Sequence, residues 1–453
     1  MRRRSMRDVW IGVAAGLALG LLPAALPARS AEQPDLIEGF VEPVMWLVRE
    51  IEGRSVDEIS HEALLEGACA GMMSKLDRHS AFWPPAMRRE TEADLKGEFG
   101  GLGIQITFDP PAGVIHVEQP IAGTPAARLG VLPHDRIIRV REESTRTVTE
   151  VADMKDVHEV LEILRGPPGT RITITILRGE EEEEEERDIT VTREIIKIPG
   201  VRAVEIIDHE DRIGYIYIPY FSEAVSKDLA AALEDLQRQG MRGLILDLRF
   251  NPGGLLDAAN ALADRFLDGG AIVTVRAPRQ NEVVHEARRS RSDLDLPLVL
   301  LVNRLSASGS EIVAGALQDH RRAVLVGETT YGKASVQQVM DNPHNQSAIK
   351  LTVARYYTPN DHMIEGRGVV PDIEMRLSDA ENRKLYTFLT RKTEYPPHPP
   401  EESAAEEEDI PEGPDEPGKD FRDVQFERAL EVLRQVMAGT RRPGDPPDAA
   451  PDG

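Results

Sequence analysis

Between Ile195 and Leu377 the chain repeats one pattern, a short apolar run followed by a longer segment with apolar residues every three or four positions. The runs are "IGYIYI", "GLILDLRF", "AIVTV", "LPLVLLVN" and "AVLVGET", and the segments include "LAAALEDLQRQG", "LLDAANALADRFL" and "EIVAGALQD". Such runs read as strands buried on both faces, and the segments between them as amphipathic helices. A strand apolar on both faces needs helices above and below its sheet. The alternation therefore predicts an α/β core with a largely parallel sheet.

Upstream the texture differs. Ile37, Phe40, Val41, Val44 and Val48 fall on one helical stripe, and Ser55 with Glu58 has the spacing of a capping box, so residues 31–95 read as an N-terminal helical region. Residues 96–193 hold short β-branched runs, "GIQITF", "GVIHVEQ", "DRIIRV" and "RITITILR", with one helical patch, "VHEVLEIL", and predict a small β-rich module. Seven consecutive glutamates, 180–186, lie inside it. Uninterrupted like charges repel, so they read as a solvated loop between strands and not as a cation site. The α/β core is expected over 194–380, and an acidic, Pro-rich linker over 381–419 with too little apolar surface to fold. A last helix over 420–438, with Phe426, Leu430, Leu433 and Met437 at helical spacing, must dock on something; residues 439–453 read as a disordered tail.

The first thirty residues run from basic "MRRRSMR" through apolar "VWIGVAAGLALGLL" to "ARS" before Ala31, the layout of a signal peptide. The apolar run is short for a bilayer span, which favours cleavage and a periplasmic product over an inner-membrane anchor through an uncleaved N-terminus. With 54 basic against 78 acidic residues the formal net charge is −24, and no basic face is available for nucleic acid. The single cysteine, Cys69, cannot form an internal disulfide and says nothing of the redox compartment.

Three corners of the core carry chemistry-bearing residues. In "LVNRLSASGSEIVAGALQD" a strand passes into a helix through Ser306, Ser308 and Ser310, where backbone N–H groups point outward; a nucleophile and an ordinary N-cap both suit such a turn. "DLRFNPGG" ends a strand in Gly253 and Gly254, which let backbone N–H groups approach an oxyanion closely. "VGETTYGKASVQQ" sets Gly327, Gly332 and Lys333 near a phosphate-loop pattern, but Ala334 stands where that motif needs Ser or Thr. A lysine is a general base only where burial leaves its amine neutral, and Gln337 lies on the same side of the segment as Lys333. No HExxH, paired CxxC or GxSxG is present, so neither a zinc site nor a nucleophile elbow has support, and no metal or cofactor is expected.

Taken together, "DLRFNPGG", "SASGSEIVAGALQD", "VGETTYGKASVQ" and "GRGVVPDI", in this order, resemble the carboxyl-terminal processing, or tail-specific, peptidases, Ser/Lys enzymes that carry a PDZ domain. "GACAGMMSKLDRHSAFW" resembles the segment before that domain, and "EFGGLGIQI", "GTPAARLGVLPHDRIIRV" and "LRGPPGTRITITILR" resemble the domain itself. The resemblance implies a multi-domain α/β protein: a crotonase/Clp-like peptidase core with an inserted PDZ β-domain. It assigns the nucleophile to Ser308, the base to Lys333 twenty-five positions later and the orienting amide to Gln337 four beyond. Gly309 with Gly253 or Gly254 would form the oxyanion hole, and Asp247, Arg249 and Glu311 would support the site. Gly309 stands where the family usually has alanine, and Ala334 where it usually has glycine. Gly100, Gly101, Leu102, Gly103 and Ile104 would hold the terminal carboxylate of a protein substrate with an unstructured or apolar C-terminus. A PDZ adaptor on a degenerate core, a lipophilic-ligand binder, a Ser/His variant through His320 or His344, and a homo-oligomer remain open at this point.

Overall fold

The computed structural model describes residues 34–179, 184–288, 295–392 and 421–445. The expected signal peptide, most of the acidic linker, four of the seven glutamates and the end of the C-terminal tail lie outside them. Among the described residues no helix is long and apolar enough to cross a membrane.

The chain opens with α1 (Pro34–Arg54) and α2 (His61–Met73). On α1, Phe40, Val41, Val44 and Trp46 are exposed. The expected helical region then contains an unforeseen strand, β1 (Ala81–Trp83), which belongs to the core, before α3 (Pro85–Lys96) and β2 (Glu98–Gly101).

The β-rich module follows as β3 (Ile104–Asp109), β4 (Val114–Pro120), α4 (Pro125–Arg128), β5 (Arg136–Glu142), β6 (Val148–Glu150), α5 (Val157–Leu164), β7 (Arg171–Arg178) and β8 (Glu185–Thr192). Its strands pair antiparallel in the order β3-β4-β5-β7-β8, with β6 on β5. Ile115, Ile137, Ile172, Ile174 and Ile176 are fully buried, one face of an alternating pattern, while Thr173 and Thr175 bond Glu143 and Asp188 on the other. The glutamate run, expected as a loop, ends in a strand. Glu185 and Glu186 belong to β8, and Glu184 and Glu186 pair with Arg136 and Arg139 of β5. Cations across the sheet relieve the like-charge repulsion that favoured a loop. The chain leaves through β9 (Glu194–Lys197), antiparallel to β2, so the strands entering and leaving the module form one ribbon.

The core comprises β10 (Arg202–Asp208), β11 (Ile213–Tyr217), α6 (Ala224–Arg238), β12 (Gly243–Asp247), α7 (Leu256–Asp264), β13 (Ala271–Arg276), β14 (Val283–Glu286), β15 (Leu298–Val302), α8 (Gly309–Asp319), β16 (Val324–Gly327), β17 (Ser335–Asp341), β18 (Ala348–Tyr357), β19 (Ile373–Glu374), α9 (Asp379–Lys392) and α10 (Val424–Met437). Its main sheet runs β10-β11-β12-β15-β16-β19, parallel except for the β10–β11 pair. Residues of β11, β12 and β15 are buried throughout, as strands covered on both faces must be. Leu229 and Leu233 of α6, Leu262 of α7 and Val313 and Leu317 of α8 pack on one face, and Leu385 and Leu389 of α9 with Val432 and Leu433 of α10 on the other.

Two boundaries need correction. The run "AIVTV", part of the alternation, joins as β13 a separate antiparallel sheet, β1-β18-β13-β14 with β17 on β18. The core also extends beyond 380: α9 covers the first part of the expected linker, because Leu385 and Leu389, one helical turn apart, find the sheet's second face.

Candidate active site

The site forms where β15 passes into α8. Ser306 and Ser310 are fully buried and turn their hydroxyls to backbone: Ser306 Oγ donates to the Leu248 carbonyl at 2.8 Å and accepts the Asn303 N–H at 2.9 Å, and Ser310 Oγ donates to the Asn251 carbonyl at 2.9 Å. Both tie the serine turn to the turn that follows β12. Ser308 between them is only half-buried and caps α8 with φ 51° and ψ −108°. Positive φ costs a non-glycine residue about 1–3 kcal/mol and persists only where the surroundings over-determine it.

Two side chains supply that constraint. Glu311, one turn into α8, is fully buried and takes four donors. Its Oε2 accepts the N–H of Ser308 at 2.9 Å and of Lys333 at 2.8 Å, and its Oε1 accepts the Thr330 hydroxyl and the Gly332 N–H, each at 2.6 Å. One carboxylate oxygen thus holds the backbone of both expected dyad residues. Burial pushes the Glu311 carboxyl up to about 7 against the downward pull of these bonds. On the carbonyl side, the buried Tyr356 hydroxyl lies 3.0 Å from the Ser308 carbonyl oxygen and also contacts that of Lys333. Lys333 is half-buried on the turn between β16 and β17. Gln337, on β17, donates its amide to Ser335 Oγ at 2.7 Å and to the Ser335 carbonyl at 3.0 Å.

The turn after β12 faces the serine turn. An added Cβ on Gly253 (φ +108°) would stand 2.7 Å from Ser308 Cβ, and one on Gly254 (φ +132°) 2.3 Å from the Phe221 carbonyl oxygen, so both positions need glycine. The Gly253 N–H is bound to Asn251 Oδ1 at 2.8 Å and is not available to an oxyanion. Of the two alternatives, Gly254 keeps the free donor: among the described residues neither its N–H nor that of Gly309 meets an acceptor. A methyl group on Gly309 would lie 3.1 Å from the Phe221 ring and 3.3 Å from Ala259 Cβ, which gives a steric reason for glycine in place of alanine. Ala334 is buried and donates its N–H to Glu365 at 2.9 Å. Asp247 and Arg249 are fully buried and paired at 2.7 Å, with the Tyr215 hydroxyl donating to Asp247 at 2.9 Å.

Sequence reasoning missed Tyr356, Asn251 and His79. His320, at the far end of α8, bonds the Ala271 carbonyl, and His344 sits in the exposed β17–β18 hairpin. The imidazole that senses Lys333 is instead His79. Burial, then the positive charges of Lys333 and Arg78, press its pKa down to about 4, so it is neutral. Its loop is fastened to β18, Ser80 Oγ accepting the Thr352 N–H at 3.1 Å and Asp77 the Thr352 hydroxyl at 3.0 Å. No group of three or more His, Cys, Asp or Glu placed to hold a metal occurs among the described residues.

In the β-module, Gly100 and Gly101 lie in β2, opposite Ile195 and Glu194. The Leu102 carbonyl accepts the Ala126 N–H, and the Gly103 carbonyl accepts the Ile121 N–H and the Thr124 hydroxyl. The N–H groups of Leu102 and Gly103 meet no acceptor among the described residues, and Ile104 opens β3.

A strained serine on a strand-to-helix turn, strapped to a lysine turn and facing a glycine corner, is an arrangement suited to a hydrolase of the acyl-transfer kind. The family model for peptidase family S41 matches residues 212–375. A carboxy-terminal-processing protease of Bartonella bacilliformis is 38% identical over 85% of this chain and 86% of its own, and one of Synechocystis is 35% identical over 76% and 78%. A solved PDZ domain of a carboxy-terminal protease from Vibrio cholerae, in complex with peptide, matches at 24% identity over 22% of this chain and 99% of that chain, with a TM-score of 0.20. The chain belongs to peptidase family S41, among the carboxy-terminal-processing serine proteases.

Proposed function

We propose that this protease is exported and shortens protein substrates from unstructured C-terminal tails, held by a PDZ domain over 96–193. Ser308 Oγ attacks the scissile carbonyl. Lys333, once its ammonium has given up a proton, takes the hydroxyl proton and then returns it to the leaving amine, after which a water repeats the cycle on the acyl-enzyme. Gln337 Oε1 orients the amine, since its amide nitrogen is engaged by Ser335. The N–H groups of Gly254 and Gly309 receive the oxyanion, and those of Leu102 and Gly103 the tail carboxylate. The observation that carries this reading is the Glu311 oxygen shared by the Ser308 and Lys333 N–H groups. It also speaks against a degenerate adaptor, for which nothing need hold those two turns together.

The test is proteolysis of an unfolded protein by single variants. Ser308→Ala should abolish cleavage and keep tail binding, and Lys333→Arg should be as damaging as Lys333→Ala, because a guanidinium does not deprotonate. Loss of activity in Ser306→Ala or Ser310→Ala with Ser308→Ala still active would overturn the assignment.

A further inference from the structure

Arg249 stands four residues before Gly253, and its guanidinium is fully buried between two carboxylates. Asp247 binds one side, with Nε at 3.0 Å from Oδ1 and Nη2 at 2.7 Å from Oδ2. The other side is bound by a residue far along the chain: Nη1 lies 2.9 Å from Asp423 Oδ1 and Nη2 2.8 Å from Asp423 Oδ2. Gln425 Oε1 accepts from Nη1 at 3.2 Å, while its amide donates to the Met375 carbonyl at 2.7 Å. Asp423 is also the N-cap of α10, its Oδ1 accepting the Phe426 N–H at 3.0 Å.

The backbone that leaves Arg249 is the turn facing Ser308. Phe250 has φ +60° and donates its N–H to Asn303 Oδ1 at 3.0 Å; Asn251 donates its side-chain amide to the Ile218 carbonyl at 2.8 Å and accepts the Gly253 N–H. The serine turn grips this segment through the Leu248 and Asn251 carbonyls. The Arg249 side chain is its grip from α10. A buried guanidinium that loses one of two bidentate partners is left with unsatisfied N–H groups and must shift to find others. Any such shift moves the segment that sets Gly253 against Ser308 and carries Gly254 next to it.

We propose that Asp423 is a positioning residue of the active site: by completing the buried Arg249 cluster, it fixes the turn Phe250–Gly254 against the nucleophile. The protease domain matched over 212–375 is then catalytically incomplete without α10, which lies outside that match. This rests on the Ser308 reading.

The test uses the full chain, an unfolded substrate, and a fluorophosphonate reagent whose attachment point is mapped by mass spectrometry. Asn caps a helix as well as Asp does, so Asp423→Asn removes the carboxylate and leaves the cap. It should lower kcat about tenfold or more while KM stays within about twofold, and it should slow reagent attachment at Ser308 to the same degree. Arg434→Ala is the comparison. Arg434 anchors the other end of α10 to Asp208 and Asp211 and touches nothing in the cluster, so that variant should keep kcat within about twofold. Hydrogen exchange over 424–437 reads the docking of α10 in both. Wild-type kcat in Asp423→Asn would overturn the proposal, as would equal losses in the two variants in proportion to lost protection of α10, the sign of a packing role alone. Attachment at a residue other than Ser308 would refute the nucleophile assignment, while the kcat comparison still decides on Asp423.

Discussion

Glu311→Gln puts the strap between the two turns to a quantitative test. The carboxylate meets two donors on each oxygen, Thr330 and Gly332 on Oε1, Ser308 and Lys333 on Oε2. An amide keeps one oxygen and offers an NH2 group in place of the other, so two of the four donors then face a donor. Aiming the NH2 at Thr330 and Gly332 is the cheaper orientation, because a hydroxyl can rotate to accept and a backbone N–H cannot. One buried N–H is left unsatisfied, at a cost of about 1–3 kcal/mol, and the opposite orientation strands two for about twice that. If the strain falls on the dyad, kcat drops by about ten- to a hundredfold at 1.36 kcal/mol per factor of ten. Protonation of Glu311 produces a similar mismatch, since a carboxylic O–H adds a fifth donor. The folded carboxyl, at about 7, holds its proton more tightly than the ordinary 4.5 of the unfolded chain. Its contribution to stability is therefore fully present below about pH 4.5 and is lost as pH rises through about 7, whereas activity, which needs the ionised acceptor, rises over that same window. Steady-state kinetics and urea denaturation from pH 4.5 to 9 measure both. In Glu311→Gln the stability change between pH 4.5 and 7 should shrink and the activity limb near pH 7 should vanish. Wild-type kcat with an unchanged limb would refute the reasoning.

Gly253→Ala sets a methyl group against Ser308 Cβ at a φ that favours glycine, so kcat should collapse while binding of a tail peptide, measured by fluorescence anisotropy, is unchanged. Normal turnover in that variant would remove the glycine corner from the site. Amidating the C-terminus of one substrate should weaken its binding to Ser308→Ala by about tenfold or more, because charge-assisted bonds to the Leu102 and Gly103 N–H groups are worth about 1.5–3 kcal/mol. Equal affinities for acid and amide would refute tail recognition.

What the sequence determined by itself were the local features and the resemblance they carry. Apolar runs such as "LPLVLLV" predict strands buried on both faces because burial is written into side-chain type, and β15 is such a strand. The serine cluster, the lysine turn and the glycine corner were legible as pieces, each on the turn where local chemistry put it. Which hydroxyls are tied to a neighbouring turn was decided by the fold. Ser306 and Ser310 turn inward because the Leu248 and Asn251 carbonyls lie beneath them, and those carbonyls come from the turn after a different strand, β12. The same holds for Gly253, whose N–H is taken by the Asn251 side chain, a bond that identical glycine chemistry at 253 and 254 does not foretell. Leu385 and Leu389 sit in a segment whose composition reads as linker, and only an apolar sheet face waiting for them makes it a helix. Arg249 and Asp423 are 174 positions apart, and neither has a local signature of the other. Propensity and periodicity are properties of neighbours along the chain, whereas a hydrogen-bond partner or a buried countercharge is a property of neighbours in space, and the candidate active site is built almost entirely from the second kind.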